Sequence, residues 1–272
     1  MKLMSFTKNG ITGFGAINGD SVMDFSHKFK DLKTMLASGS TLKEGNLIPL
    51  VEVNYLPVIP NPEKIICVGV NYASHIAEMG REPGEFPLLF TRFANSQVGH
   101  NEPMLVPKES EKFDYEGELA LIIGKSGKRI SENNAMNYIA GYSCYNDGSV
   151  RDWQRHTSQF TAGKNFTGTG GFGPWMVSSD EINDPSELQI ETRLNGTVMQ
   201  SAPISDLVFN VPKLIAYIST FTELEPGDVI ITGTTGAVGA ARNPPVWMKA
   251  GDTVEVEISN IGTLVNPIHS AN

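Results

Sequence analysis

Apolar residues in this chain fall mostly into short runs whose length is typical of β-strands. From residue 60 onward the clearest runs lie at 64–69, 119–124, 188–194, 229–232 and 253–258. Most are bounded by glycine, asparagine or aspartate, the residues that commonly end strands. The pattern therefore predicts an α+β protein that is built mainly from strands.

Helical periodicity is scarce, and its clearest case is the segment 211–223. Pro212 lies where a proline is tolerated in the first helical turn, and Pro226 follows the segment. Four apolar side chains would share one face of this helix: Leu214, Ile215, Ile218 and Phe221. We expect that face to pack on the strands.

The first sixty residues read as a separate small module. Their apolar runs are broken by Asn9-Gly10 and by Asn18-Gly19, which are both hairpin signals, and a polar, helix-like piece follows. Three prolines then fall within residues 57–62, a stiff stretch that suits a linker. We predict a small N-terminal domain at 1–60 and a larger domain at 61–272.

The composition is that of a globular protein, and the net charge limits the classes of partner that it would bind. The chain has 272 residues, 40% hydrophobic and 19% charged, which is enough for a sizeable core. Its net charge of -9 argues against nucleic acid or an anionic membrane as the main partner. An anionic substrate would therefore need local positive charge.

The two cysteines and the N-terminus bear on location. Cys67 and Cys144 lie in apolar, strand-like segments, where buried free thiols are expected, as in a reducing cytoplasm. No apolar run reaches the roughly 18 residues of a membrane-spanning helix. The first ten residues lack the core of a signal peptide. These features predict a cytoplasmic protein.

Glu116 and Glu118 are the most informative pair of residues. They are two positions apart beside the apolar run at 119–124, so a strand would point both carboxylates out of one face. Asp147 ends another apolar segment and could complete a site for a hard cation such as Mg²⁺, which prefers oxygen ligands. A solvated strand face is the alternative for a Glu-x-Glu pair.

His75 and Glu78 form a second candidate pair. They are three residues apart in a segment predicted to be a short helix that ends near Gly80. At that spacing the two side chains share a helix face and could form a histidine–carboxylate pair. A surface contact is the alternative.

Four more polar residues could act on an anion. Arg151 and Gln154 follow Asp147 at helical spacing, and the arginine could bind a carboxylate or form a structural salt bridge. Lys164 stands among small and aromatic residues, where it is either solvated or bound to an anion. Thr234 lies in a glycine-rich turn after a predicted strand, and this turn could hold a substrate carboxylate or be purely structural.

Several ordered motifs contain these residues and resemble those of the fumarylacetoacetate hydrolase superfamily. The family pattern runs G-x-N-Y-x-x-H, E-x-E, N-D-x-x-x-R-D-x-Q, G-K-S-F, G-P-W, T-G-T-P-x-G-V-G and G-x-L-x-N. The corresponding segments here lie at 69–75, 116–118, 146–154, 163–166, 173–175, 232–239 and 262–266. The resemblance covers about residues 62 to 268 and depends on the order of all the motifs together.

The resemblance implies a fold and a metal. The catalytic domain 61–272 would be the family's mixed β-sandwich roll, beside the small N-terminal domain 1–60. Glu116, Glu118 and Asp147 would bind Mg²⁺, with Mn²⁺ as the second choice.

The resemblance also implies roles for the other candidates. His75, oriented by Glu78 in a lid, would deprotonate water, and Lys164 would stabilise the developing negative charge. The remaining residues would position the anionic end of the substrate: Arg151, Gln154 and Thr234. The family further implies a homodimer.

The primary hypothesis is a Mg²⁺-dependent hydrolase that cleaves a carbon–carbon bond in a 1,3-dicarbonyl substrate of the acylpyruvate or 2,4-dioxo acid type, in aromatic catabolism. An isomerase, decarboxylase or hydratase of the same superfamily is the alternative, for example a 2-hydroxyhepta-2,4-diene-1,7-dioate isomerase-like or oxaloacetate decarboxylase activity. A non-catalytic binding protein is a third. Departures from the family pattern leave the substrate open: Val70, Arg92, Asn165 and Thr235.

Overall fold

Strands account for most of the regular structure of the chain. The computed structural model describes residues 1–40, 42, 44–78, 80 and 82–271. In these residues the strands are β1 (Lys2–Lys8), β2 (Ile11–Asn18), β3 (Ser21–Asp24), β4 (Asn46–Pro49), β5 (Asn54–Tyr55), β6 (Ile65–Gly69), β7 (Leu88–Thr91), β8 (Gln97–Val98), β9 (Met104–Val106), β10 (Phe113–Asp114), β11 (Gly117–Ile123), β12 (Ile139–Asp147), β13 (Ser149–Val150), β14 (Gly170–Ser178), β15 (Gln189–Leu194), β16 (Thr197–Pro203), β17 (Val229–Thr234), β18 (Thr253–Ile258) and β19 (Gly262–Ser270).

The helices are short. They are α1 (Leu32–Ser38), α2 (Ala73–Glu78), α3 (Glu132–Ala135), α4 (Arg151–Gln154), α5 (Thr161–Lys164) and α6 (Val211–Phe221) in the described residues. Single 3-10 turns lie at Leu50–Glu52, Ala94–Ser96, Met136–Tyr138, Ser179–Glu181, Pro185–Glu187, Ile204–Asp206 and Gly239–Ala241. None of the described helices is long and apolar enough to cross a membrane.

One large, mixed sheet carries the central strands. Its order is β4-β3-β2-β1-β14-β12-β11-β17-β6-β7, with β5 paired to β1 and β8 paired to β14. β11 runs antiparallel to β12 and to β17, whereas β17 runs parallel to β6. A second sheet has the order β16-β15-β18-β19-β9. The chain is thus an α+β protein that is mainly β, as predicted.

β11 is buried on both faces, which explains its nearly continuous apolar sequence. Leu119 and Leu121 pack in a cluster with side chains of α6 and of the second sheet. Ala120 and Ile122 point to the opposite face, where they pack against N-terminal side chains such as Phe14. The large sheet is therefore covered on both faces, and this packing holds the ends of its central strands in place.

The N-terminal strands extend the large sheet. β1 pairs with β14 through Leu3 and Met176, and the predicted hairpin at Asn9-Gly10 joins β1 to β2. Asn9 and Gly10 both have positive φ, as a two-residue hairpin turn requires. Residues 57–62 contain no helix or strand, Val58 and Ile59 are buried beside Phe14, and their role as a linker stays a prediction. The domain boundary at residue 60 stays a prediction.

Most predicted elements differ from the observed ones by one or two residues at an end. The helix predicted at 211–223 ends at Phe221, because Thr222 is extended, and Asn210 caps its start by accepting from the Lys213 N–H. The strand predicted at 229–232 continues to Thr234. Thr234 therefore lies in a strand and not in a turn, because it pairs with Glu118 of β11.

Candidate active site

Three buried carboxylates meet where β11 and β12 run side by side. Glu118 lies in β11 and Asp147 ends β12, with Gly117 opposite Asn146 in the register. Glu116 comes one residue before β11, and its N–H donates to Asn146 Oδ1 at 3.0 Å. Each side chain offers a carboxylate oxygen within 4.8 Å of the others. This acidic cluster is the predicted set of ligands, brought together by the pairing of two strands.

Basic side chains enclose the cluster. Lys164 is buried at the end of α5, and its ammonium donates to the carboxylates of Glu116 and Asp147. The buried Arg92 donates from Nη1 to the other oxygen of Asp147 at 2.6 Å and from Nη2 to Thr169 Oγ1 at 2.8 Å. The contacts from Lys164 and Arg92 together hold the Asp147 carboxylate in one orientation.

Arg151 is committed to carboxylates of the protein itself. Its Nη2 donates to Glu116 Oε1 at 2.7 Å and its Nε donates to Asp114 Oδ2 at 2.8 Å. Its Nη1 donates to Gln154 Oε1 at 3.0 Å. Asp114 is fully buried and also accepts from two backbone N–H groups in the Gly239–Ala241 turn. In this structure Arg151 therefore orients Glu116, and its role toward a substrate stays a prediction.

Charge and burial shift the protonation of these groups in opposite directions. Burial alone would raise the pKa of Glu116, but Arg151 and Lys164 hold it well below its usual range. Burial, with the negative charges of Asp147 and Glu116, raises the pKa of Glu118 well above its usual range. Burial would lower the pKa of Lys164, yet its two carboxylate partners raise it.

The donor set of the acidic cluster fits a hard divalent cation. All three side chains offer oxygen, which suits Mg²⁺ and Mn²⁺. Glu118 accepts a hydrogen bond from the Gly233 N–H at 2.6 Å and has no basic partner at salt-bridge distance in the described chain. A buried carboxylate without a cation is costly, so a cation at this position would stabilise it.

The cluster opens into a cavity of about 300 Å³. The predicted site residues that line it are His75, Glu116, Glu118, Asp147, Arg151, Gln154, Lys164 and Thr234. Its apolar wall includes Val70, Phe90 and Phe160, and the two phenylalanine rings pack edge to face with centroids 5.6 Å apart. One cavity thus unites side chains that are distant from one another in the sequence.

His75 and Glu78 lie together in α2, as their spacing predicts. His75 Nδ1 is 3.3 Å from Glu78 Oε2, and the imidazole is mostly buried at the cavity wall. Glu78 also accepts from the Ala237 N–H at 3.0 Å. At the other end of α2, Asp206 accepts from the hydroxyl of Ser74 at 2.7 Å. Both ends of this short helix are therefore tied to neighbouring loops.

Thr234 has internal hydrogen-bond partners. Its hydroxyl donates to the Gly117 carbonyl at 3.0 Å and accepts from Gln200 Nε2 at 2.8 Å. The strand position of Thr234 corrects the predicted turn, which begins at Thr235. Its role toward a substrate stays a prediction.

Sequence reasoning did not assign roles to Asp114 and Arg92. Asp114 stands two residues before Glu116, so the alternation that linked Glu116 to Glu118 extends to it. Arg92 is a single charge directly after the apolar segment that forms β7, where an exposed side chain is the ordinary expectation. Its partner Asp147 is distant in sequence, so the pair could not be read from local sequence.

Comparison with known proteins identifies the family of this chain. The family described as "Fumarylacetoacetate (FAA) hydrolase C-terminal" matches residues 64–269. A Xenopus laevis protein named "Oxaloacetate tautomerase fahd2, mitochondrial" is 44% identical over 218 residues, which are 79% of this chain and 68% of the relative.

Solved structures match over the whole chain. A fumarylacetoacetate hydrolase from Exiguobacterium antarcticum is 34% identical with a TM-score of 0.90, covering 100% of both chains. A maleylpyruvate hydrolase from Sphingobium sp. SYK-6, solved with manganese(II) and pyruvate, is 25% identical with a TM-score of 0.81, again covering 100% of both chains. The predicted family and its mixed β-sandwich roll are confirmed.

Proposed function

This chain belongs to the fumarylacetoacetate hydrolase family, and from that premise we propose that it catalyses the keto–enol tautomerisation of a small 2-oxo acid of the oxaloacetate type. The observation that carries the proposal is the cavity in which the His75 imidazole, paired with Glu78, shares space with the acidic cluster. Tautomerisation needs a base beside a site that polarises a carbonyl group. The similarity to the Xenopus tautomerase supports this alternative over the hydrolase.

The acidic cluster would hold the metal that this chemistry needs. Bound to Glu116, Glu118 and Asp147, Mg²⁺ or Mn²⁺ would polarise the 2-oxo group as a Lewis acid. Arg92 and Arg151 keep the carboxylates of Asp147 and Glu116 in place. Lys164 adds positive charge beside the oxygen on which negative charge develops.

His75 would move the proton. With Nδ1 hydrogen-bonded to Glu78, the other ring nitrogen, Nε2, remains available to take a proton from C3 of the substrate. The electrons of the C3–H bond form the C2–C3 double bond as the π electrons of the C2=O bond move to oxygen, and the imidazolium returns one proton to that oxygen. No atom or electron is gained or lost, so the step needs no further reactant.

The hydrolase remains the second candidate. The same base could activate water for cleavage of a 2,4-dioxo acid, and the Sphingobium relative is a maleylpyruvate hydrolase. A role in aromatic catabolism, the cytoplasmic location and the homodimer stay predictions, and the Xenopus relative is named mitochondrial.

The test follows the ultraviolet absorbance of enol-oxaloacetate with Mg²⁺- or Mn²⁺-loaded protein. We expect His75→Gln to lower turnover by about 10²- to 10⁴-fold, the usual effect of losing a general base. Mn²⁺ affinity should not change, and the exposed His269 provides the control variant His269→Gln. Full turnover after chelation and dialysis would contradict the proposal. Faster cleavage of 2,4-dioxo acids, with products identified by mass, would favour the hydrolase.

A further inference from the structure

The cavity has a basic side chain that the acidic cluster does not use. Arg155 directly follows α4, lines the cavity and is exposed. Within the described ranges no carboxylate lies at salt-bridge distance from its guanidinium. Its five N–H donors are therefore directed to solvent or to a ligand.

The other basic residues around the cluster already have carboxylate partners. Lys164 contacts Glu116 and Asp147, whereas Arg151 contacts Asp114 and Glu116. Arg92 is completely enclosed against Asp147. These three buried cations shape the cluster, so a second anionic group on a ligand would have to find its partner elsewhere.

The charge balance shows how much anionic charge the cavity can take. With all four ionised, the buried carboxylates exceed the three buried cations by one negative charge: Asp114, Glu116, Glu118 and Asp147 against Arg92, Arg151 and Lys164. A bound divalent cation would change this to one positive charge. One acid head group neutralises that charge. A second carboxylate on the same molecule needs an additional cation, and Arg155 is the exposed one at the cavity wall.

The position of Arg155 suits a short dicarboxylate. Arg155 directly follows the single helical turn that begins at Arg151, and both arginines line the cavity. In a four-carbon diacid, bonds of about 1.5 Å place the two carboxyl carbons roughly 4 Å apart. Because Arg155 lines the same cavity as the acidic cluster, it is the cation available to the distal carboxylate of a ligand whose head group binds at the cluster.

We propose that Arg155 binds the distal carboxylate of a dicarboxylic 2-oxo acid and so selects dicarboxylates over monocarboxylates of the same length. The inference rests on the proposed function only in placing the head group at the acidic cluster. Arg155 would accordingly determine specificity, while the chemical step depends on His75 and the cluster.

The test measures binding, independently of turnover. Malate and 2-hydroxybutanoate share a 2-hydroxy acid head group and a four-carbon chain, but only malate has the distal carboxylate. Calorimetric titration of the Mn²⁺-loaded protein should show tighter binding of malate. Arg155→Gln should weaken malate binding by about tenfold, because a charge-assisted hydrogen bond is lost, and should leave 2-hydroxybutanoate binding unchanged. Arg155→Lys should retain part of the preference.

The exposed Lys128 provides a matched control, since Lys128→Gln removes one positive charge from a residue that does not line the cavity. Equal binding of the two acids by the wild-type protein would overturn the assignment of Arg155, as would an equal loss for both acids in Arg155→Gln. If malate is preferred through Arg155 but oxaloacetate is not tautomerised, the assignment holds and the proposed function fails.

Discussion

Lys164 is the residue on which the charge balance of the acidic cluster depends most directly. It is almost fully buried, its ammonium lies between Glu116 and Asp147, and it is 4.9 Å from the centroid of the Phe90 ring. A buried cation of this kind is stabilised only by its partners, and the partners depend on it in turn. The same contacts make Lys164 a substitute for part of the charge that a metal would supply.

Replacement of Lys164 should therefore destabilise the metal-free protein and increase its response to metal. In Lys164→Met we expect a loss of about 3 kcal/mol of unfolding free energy without metal, because two buried carboxylates lose a cation. Mn²⁺ should then raise the melting temperature of the variant more than that of the wild type. Thermal denaturation with and without Mn²⁺ measures both effects, and Lys128→Met is the control. An equal Mn²⁺ shift in both proteins would refute this account.

At the scale of elements, α2 depends on its anchors. A helix of six residues is too short to be stable alone. Asp206 accepts from the N–H and the hydroxyl of Ser74 at its first turn, and Glu78 accepts from the Ala237 N–H at its last. These loop contacts hold His75 at the cavity, so the position of the proposed base is set by residues outside its own helix.

Removal of the first anchor should loosen the helix without altering the metal site. Asp206→Ala deletes hydrogen bonds to a charged acceptor worth about 1.5 kcal/mol, so amide exchange in α2 should accelerate by roughly tenfold. Turnover should fall, whereas Mn²⁺ affinity should not change. Hydrogen-exchange mass spectrometry provides the measurement, and the exposed Glu187 provides the control variant Glu187→Ala. Unchanged exchange in α2 would show that packing alone holds it.

At the scale of the whole molecule, His100 joins parts of the chain that are distant in sequence. Its Nδ1 accepts from the Val265 N–H in β19 at 3.1 Å, and its ring packs edge-on against Tyr55 of β5 at 4.8 Å. Burial lowers the pKa of His100 to about 4. The neutral imidazole is therefore part of the folded structure, because a protonated Nδ1 could not accept this hydrogen bond.

This linkage predicts how stability varies with pH. In the unfolded chain histidine binds a proton near its ordinary pKa of about 6.5, but in the folded protein His100 stays neutral down to about 4. The stability that the neutral His100 contributes is fully present above the pKa of the unfolded state. It is lost as the pH falls from there toward the pKa of the folded state. Over the whole window the loss is at most about 3 kcal/mol, and about 2 kcal/mol of it falls above pH 5.

His100→Asn keeps an acceptor at the same position but cannot be protonated. Its unfolding free energy should therefore decrease less between pH 7 and pH 5 than that of the wild type. Denaturant unfolding at both pH values measures the difference, with the exposed His27 as the site of the control variant His27→Asn. The same pH dependence in His100→Asn and wild type would exclude this role for His100.

Local features of the sequence were sufficient for the strands, the hairpin at Asn9-Gly10, the helix after Asn210 and the residues of the acidic cluster. Hydrophobic periodicity and turn chemistry act over a few residues, so they can be read without the fold. The paired spacing of His75 and Glu78 is local in the same way. Together with the order of the motifs, these features were enough to identify the family.

Only the tertiary structure decided which charges are already paired. It directs Arg151 and Lys164 to carboxylates of the protein, leaves Arg155 exposed at the cavity wall, and places Thr234 inside β17. These outcomes depend on strand pairing and burial between segments that are far apart in the chain. That packing determines the partners of each side chain. Two arginines close in sequence can therefore differ: Arg151 pairs with carboxylates of the protein, whereas Arg155 is available to a ligand.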